Sequence, residues 1–394
     1  MSRASTAGVP TLFSGSRISA GVIGRLSAGR TAMTIADRAV ADATDIPYVG
    51  RALHLDAEQI DAATVATLAQ ELRSSRAEVI VAVGGGGVLD AAKLAALALT
   101  SEHVLEYATT HAARSALTVL PDVEPAAVII AVPTTVGTSS ETNSVSILRT
   151  AHGHRLIIGR ALRPRFAILD SSHLRSLSDG AVRQGGLEAL LRIAGVSTTP
   201  LRADRAQRDA VAIARALLRA ASDEVRTDTA RLRIARLSAA TQRTAALRSR
   251  TPYGARHWYV ANEVAFGLAA PKMSATAAVI VAVWRRICAG DARWGDRESL
   301  AGFWRAAVAG TGHHPDPVEG IRGVIEAWGI DRPARPDADA VRALAGATAR
   351  AWGGRHPMLM GIDDADVRDI LDDSFWKSES STPAPTSTLE LVRG

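Results

Sequence analysis

The chain has 394 residues and a hydrophobic content of 47%, enough for two domains of ordinary size around a substantial core. No stretch is long and apolar enough to span a bilayer, and MSRASTAGVP lacks a signal-peptide core, so no membrane partner is expected. The net charge of +6 comes from arginines interleaved with Asp and Glu, which argues against nucleic acid as a partner, and the single Cys288 fits a reducing, cytoplasmic setting without disulfides.

In chain order, residues 1–15 read as a frayed start leading into Thr11-Leu12-Phe13, and Ile18 to Leu26 as a short helix. Thr31 to Ala36 predicts a strand ending at Asp37. An acidic residue at the end of an early strand can bind an adenosine ribose in a dinucleotide fold, or serve as a plain helix cap. A strand over 47–54 and an amphipathic helix from Ala57 to Ser74 follow.

Glu78 to Val83 (EVIVAV) has the apolar, β-branched character of a buried parallel strand. Four glycines, Gly84 to Gly87, separate it from a helical pattern with Val88, Leu89, Ala92 and Leu97 on one face. Strand, glycine turn and helix together aim free backbone N–H groups at a phosphate. Glycine serves there by taking positive φ and by letting an anion approach the backbone. Asp90, in the expected first turn, suits the positive end of the helix dipole. The plain alternative is a tight turn without ligand. No Gly-Lys-Ser/Thr follows, so this is not a Walker A loop, and it does not match G-x-G-x-x-G cleanly.

Ala127 to Val132 predicts another buried strand, followed by a hydroxyl-rich loop, Pro133 to Asn143, with Glu141 near its end. Loops at the carboxyl ends of parallel strands are where open α/β sheets bind ligands, although Ser/Thr turns also explain such a composition. Arg155 to Ile158 and Phe166 to Leu169 predict further strands. From about Leu177 the periodicity is helical through Asp373, with no convincing strand. The expected fold class is α/β: a Rossmann-like parallel-sheet domain over 1–176, an all-helical domain over 177–377, and a disordered Ser/Thr/Pro-rich tail over 378–394.

GGGGVLDAAK (Gly84 to Lys93) resembles the GGGS-x-x-D-x-A-K motif of iron-containing alcohol dehydrogenases, and AVPTTVGTSSETN (Ala131 to Asn143) resembles that family's PTTAGTGSE segment. RPRFAILD (Arg163 to Asp170) and HPMLMGIDDADVRDIL (His356 to Leu371) look like its last strand and closing helix, so the likeness runs from about residue 10 to 376. The resemblance implies a cleft between the two domains and NAD as cofactor. Gly85, Gly86 and Gly87 would cradle the pyrophosphate, with Asp90 capping that turn. Thr134, Thr135 and Thr138 would line the nicotinamide side, and Asp37 would favour NAD over NADP by repelling a 2′-phosphate. Arg155 stands where the family has a lysine facing the cofactor. A homodimer is common in the family.

The family's metal ligands are replaced. Glu188 and Arg192 occupy the positions of an Asp and a His four apart, the first late histidine falls near Asn262, and the second falls on Lys272. Arginine stays protonated and cannot ligate, so no metal is expected. In an active enzyme Lys272 would stabilise the developing alkoxide, and His257 or Glu188 would take the proton. Arg192 and Lys272 would favour an anionic substrate, such as a β-hydroxy acid whose oxidised product loses CO₂. One metal-poor branch of relatives, the daptide type, oxidatively decarboxylates a C-terminal threonine of a ribosomal peptide. This chain looks compatible with that branch, which would imply a peptide substrate and a peptide-recognition partner. The alternatives are a degenerate NAD-binding module, with Glu188 and Arg192 only an i,i+4 salt bridge, and a dehydroquinate-synthase-like cyclase, which Glu188 favours but the missing late histidines oppose. Trp258, beside His257, is the one tryptophan of the second half expected near the cleft; the others read as core.

Overall fold

The computed structural model describes residues 8–41, 48–57, 60–200, 203–248, 251 and 253–378. The expected tail, beyond residue 378, lies outside the described residues.

Short apolar runs build a six-stranded parallel sheet from β1 (Thr11–Gly15), β2 (Ala32–Asp37), β3 (Arg51–Leu55), β4 (Val79–Gly84), β6 (Val128–Pro133) and β9 (Phe166–Asp170), ordered β1-β9-β6-β4-β2-β3. A parallel sheet is buried on both faces, and the period-2 alternation of β4 divides its side chains between two layers. Ile80 and Ala82 pack with Leu68, Leu72 and Leu89 of α3 (Ala62–Ser74) and α4 (Gly86–Thr100). Val79, Val81 and Val83 pack with Val22 and Ile23 of α1 (Ser19–Ser27) on the other side. The short α2 (Arg38–Ala41) follows β2. Asp170, at the end of β9, accepts from the backbone N–H groups of Arg17, Ile18 and Ser19 and from the Ser19 hydroxyl, which anchors the start of α1.

The elements expected from hydrophobic pattern form within a few residues of their expected bounds. Four others form without having been expected: the short α2, α5 (Glu102–Ala112), β5 (Leu117–Val119) and β7 (Val145–Thr150). β7 pairs antiparallel with β8 (Gly153–Ile158), and β5 adds to β8 as a second, three-stranded sheet. α4 begins at Gly86, so Asp90 is its fifth residue and not part of a first-turn cap.

The helical half comprises α6 (Asp179–Val196), α7 (Asp204–Ser222), α8 (Asp228–Arg243), α9 (Arg256–Gly267), α10 (Lys272–Cys288), α11 (Arg297–Val308), α12 (Pro317–Ala327), α13 (Ala338–Trp352) and α14 (Asp364–Asp372). α10 carries almost entirely buried side chains from Met273 to Trp284 and is the axis of this half. Trp284, Trp304, Trp328 and Trp352 are core residues, whereas Trp258 is half-buried. No helix among the described residues is long and apolar enough to cross a membrane.

Candidate active site

The two halves touch where backbone meets backbone. A Cβ on Gly137 would lie 2.6 Å from the Gly185 Cα, and one on Gly185 would lie 2.4 Å from the Val136 carbonyl oxygen. Gly137 also takes a φ of +110°, which an L side chain rarely adopts. The hydroxyl-rich loop after β6 is thereby pressed onto the first half of α6.

Arg192, two turns further along α6, clamps the same loop. Its Nη1 donates to the Ser139 hydroxyl at 3.0 Å and the Thr241 hydroxyl at 2.9 Å, and its Nη2 donates to the carbonyls of Gly137 and Thr138. A guanidinium whose two terminal nitrogens are so engaged has no fork left for a carboxylate. The expectation of a substrate-binding Arg192 is therefore corrected: its geometry is that of a brace. Its distance to Glu188 is 4.0 Å, so the expected i,i+4 pair is loose.

A cavity of about 440 Å³ opens between the glycine turn and helices α6, α9 and α10. Gly86, Gly87 and Thr138 line one wall; Glu188, His257 and Lys272 line another. None of Gly84 to Gly87 takes a positive φ, contrary to expectation. Two of them, Gly84 and Gly86, stand where a side chain would be crowded, whereas Gly85 and Gly87 have ordinary room for a Cβ. A Cβ on Gly86 would sit 2.9 Å from Thr138 Cγ2, and one on Gly84 would sit 2.7 Å from Val88 Cβ. Gly85 is the N-cap of α4, and the first N–H groups of that helix have no intrahelical partner. This turn fits a phosphate. Thr134 is buried and its N–H donates to the Gly84 carbonyl, while Thr135 stands against Gly85, so Thr138 is the threonine that reaches the cavity wall.

Asp90 and Lys93 lock α4 to the hydroxyl-rich loop. The Asp90 carboxylate accepts from the Ser140 hydroxyl at 2.5 Å and from the Ile147 N–H at 2.9 Å. The fully buried Lys93 ammonium lies 2.9 Å from Asp90 and donates to the Ser140 hydroxyl at 2.7 Å and to Asn143 Oδ1 at 3.1 Å. Burial lowers the Lys93 pKa, and the Asp90 charge opposes that shift. Burial also pushes the Glu141 carboxyl up to about 7, against the pull of its own backbone N–H and of Arg192 and Lys93. Sequence reasoning assigned no role to Lys93 or Glu141, although Lys93 is one of only three lysines in the chain.

On the opposite wall Lys272 Nζ donates to Glu188 Oε1 at 2.6 Å and sits 5.5 Å from the centre of the Trp258 ring. Burial works against the Glu188 charge, but the attraction of Lys272 and Arg192 and the Lys272 hydrogen bond prevail and hold its pKa below the usual value. His257 is buried, and burial together with the Lys272 charge lowers its pKa to about 3. An imidazole in that setting is neutral and a poor base, which counts against its expected role as proton acceptor. Asn262 faces away, donating to the His154 carbonyl and to Glu263. Trp258, one turn earlier on α9, is the residue that faces Lys272.

Among the described residues no group of three or more His, Cys, Asp or Glu side chains is placed to hold a metal ion. Glu188 is already paired with a lysine and His257 stands alone beside it, so this donor set does not fit a catalytic Fe²⁺ or Zn²⁺. Arg155 is also not where its expected role requires. Its guanidinium turns to Glu263 at 3.4 Å and to the His152 carbonyl, and it lines a different cavity. Asp37 ends β2 and accepts from the Ala39 N–H at 3.0 Å, as a cap would.

Residues 26–171 match the profile of the iron-containing alcohol dehydrogenase family. Phosphonoacetaldehyde reductase of Streptomyces viridochromogenes is 39% identical over 136 residues, 34% of each chain. Probable alcohol dehydrogenase EutG of Salmonella typhimurium is 36% identical over 123 residues, 30% of this chain and 29% of that one. The chain thus spans about a third of the length of these curated relatives. Among solved structures, NADH-dependent butanol dehydrogenase A from Thermotoga maritima superposes with a TM-score of 0.76 at 14% identity, covering 92% of this chain and 96% of that one. Sulfoacetaldehyde reductase from Bifidobacterium kashiwanohense in complex with NAD+ superposes with a TM-score of 0.72 at 18% identity and the same coverage, 92% and 96%. These likenesses establish the fold of both halves.

Proposed function

We propose that the chain is an NAD-dependent oxidoreductase that moves a hydride between the nicotinamide and a carbinol carbon, with the Lys272 ammonium where the iron enzymes hold their metal. The observation that carries this reading is the Lys272–Glu188 pair, 2.6 Å apart, across the cavity from a glycine turn that fits a pyrophosphate. The family match of residues 26–171 and the reductase names of the relatives support it. When bound, NAD supplies the hydride acceptor. The protein's part is to bind the pyrophosphate at Gly85 to Gly87, to keep the substrate oxygen beside Lys272, and to move one proton. In the oxidative direction the Lys272 ammonium donates to the developing alkoxide while the hydroxyl proton leaves to the Glu188 carboxylate beside it; reduction reverses both. Homodimerisation remains part of this reading.

The substrate class we propose is a β-hydroxy acid, ultimately the C-terminal threonine of a ribosomal peptide delivered by a recognition partner. Oxidation of such a residue gives a β-keto acid that loses CO₂ without a metal, so one fixed cation suffices. With Arg192 engaged elsewhere, the carboxylate contact also falls to the Lys272 side of the cavity. The test is NAD titration and metal analysis on one purified sample, then incubation with a peptide ending in threonine. NAD bound without stoichiometric metal, with NADH formed and a mass loss of CO₂ plus two hydrogens, is the expected result. NAD bound without turnover of any alcohol would favour a binding module, and a tightly held metal with cyclase activity would favour the dehydroquinate-synthase-like alternative.

A further inference from the structure

A second cavity, of about 360 Å³, lies on the other side of the β7–β8 hairpin. Alternation along β8 separates the two: Leu156 faces the first cavity and Arg155 faces this one. Its wall carries Arg114, just past the end of α5, Arg155 of β8 and Arg350 in the last turn of α13, together with His152 and His356. Among the described residues Glu263 is the one acidic residue lining it. That carboxylate is already used, accepting from Trp352 Nε1 at 2.9 Å, from Asn262 Nδ2 at 3.2 Å and from Arg155. Burial raises its pKa despite these donors, which weakens it further as a counter-charge. Arg114 and Arg350 have no ion-pair partner among the described residues.

Arg155 is buried at the base of this concavity and Arg114 and Arg350 are exposed at its rim, so three guanidiniums from three elements give it a positive potential that draws an anion. Guanidinium is also the cation whose fork matches phosphate and carboxylate oxygens. We propose that this cavity is a binding site for a small polyanion, a phosphate ester or polycarboxylate, distinct from the glycine-turn site. Arg155 and Glu263 form its floor, while Arg114 and Arg350 close over the ligand from the sheet half and the helical half. The site goes beyond the oxidoreductase reading and does not depend on it.

Calorimetric titration of the full chain with inorganic phosphate, and separately with citrate, tests this against the R114Q/R350Q double variant. The expected result is saturable binding of at least one anion, weakened tenfold or more in the variant, whose ligand-free melting temperature is unchanged or higher because repulsion is relieved. The tighter of the two anions identifies the ligand class. Absence of binding up to millimolar anion would overturn the proposal. Equal affinity in wild type and variant would overturn it too, since the anion would then sit on the glycine turn.

Discussion

Lys272 Nζ and Glu188 Oε1 stand 2.6 Å apart although their residues are 84 positions apart in the chain. Lys272 is the first residue of α10, where the positive end of the helix dipole disfavours an ammonium. Glu188 offsets that cost, and the Trp258 face adds a cation–π contact on the other side. A lysine so placed is held for its charge, which gives the first prediction. Lys272→Met will lower kcat by about 10²–10³-fold, the usual effect of removing a donor to a developing oxyanion, with NAD affinity retained. Lys272→Arg will recover part of the rate. Unchanged kcat in the methionine variant would remove Lys272 from the chemistry.

Arg192 should behave as a structural residue. Arg192→Lys keeps the charge but cannot span two hydroxyls and two carbonyls at once, so it should destabilise the fold by about 2–4 kcal/mol. The loss will appear in the urea midpoint. If KM for an anionic substrate rises while the midpoint holds, the guanidinium serves the substrate after all.

The glycines divide into two kinds. Gly185→Ala drives a methyl into the Val136 carbonyl and should cost about 3 kcal/mol or more, because backbone has to move. Gly86→Ala meets only the Thr138 side chain, which can rotate. It should leave the melting temperature nearly unchanged while NAD affinity, read by fluorescence titration, falls about tenfold or more, a loss of over 1 kcal/mol.

His257 contributes one part of the pH dependence of stability. Its folded pKa of about 3 lies below the ordinary 6.5, so between those values the unfolded chain binds the proton and the folded chain does not. Stability therefore falls as pH drops from 6.5 towards 3. Glu141 acts oppositely: its pKa is raised from 4.5 to about 7, so its contribution is present below 4.5 and is lost as pH rises through about 7. Subtracting the pH profile of His257→Gln isolates the histidine. The variant should lose less stability on acidification, and parallel profiles would show that the imidazole is solvated.

Asp37 offers a cofactor test. Replacing it by serine removes the charge that would repel a 2′-phosphate, so Asp37→Ser should raise kcat/KM for NADP relative to NAD. An unchanged ratio would leave Asp37 as the Ala39 cap alone.

Much of the fold was legible because fully buried strands and amphipathic helices leave strong patterns. EVIVAV and AVIIAV could only be interior. SILRT in β7 was not seen because a strand beside a loop, with a charge and hydroxyls in it, has neither a continuous nor a clean alternating signature. The scarcity of lysine pointed to Lys272, and the same reasoning applied to Lys93 would have flagged the lock on the hydroxyl-rich loop. Arg192 misled because spacing places a side chain on a helix face without saying what backbone waits opposite. Nothing local to GGLEALLR reveals that the carbonyls of Gly137 and Thr138 are there. The depressed pKa of His257 is likewise a property of its surroundings, and Arg155 turns aside because Glu263, 108 positions later, lies opposite it.

The contact between Gly137 and Gly185 also limits how the molecule can open. With no side chains between the two backbones and Arg192 riveting the same loop, that line cannot part without breaking several hydrogen bonds together. Rotation of one half against the other about this line would leave that contact in place, whereas separation across it would not. The floor formed by the Gly137–Gly185 contact is thus the most firmly held part of the cleft.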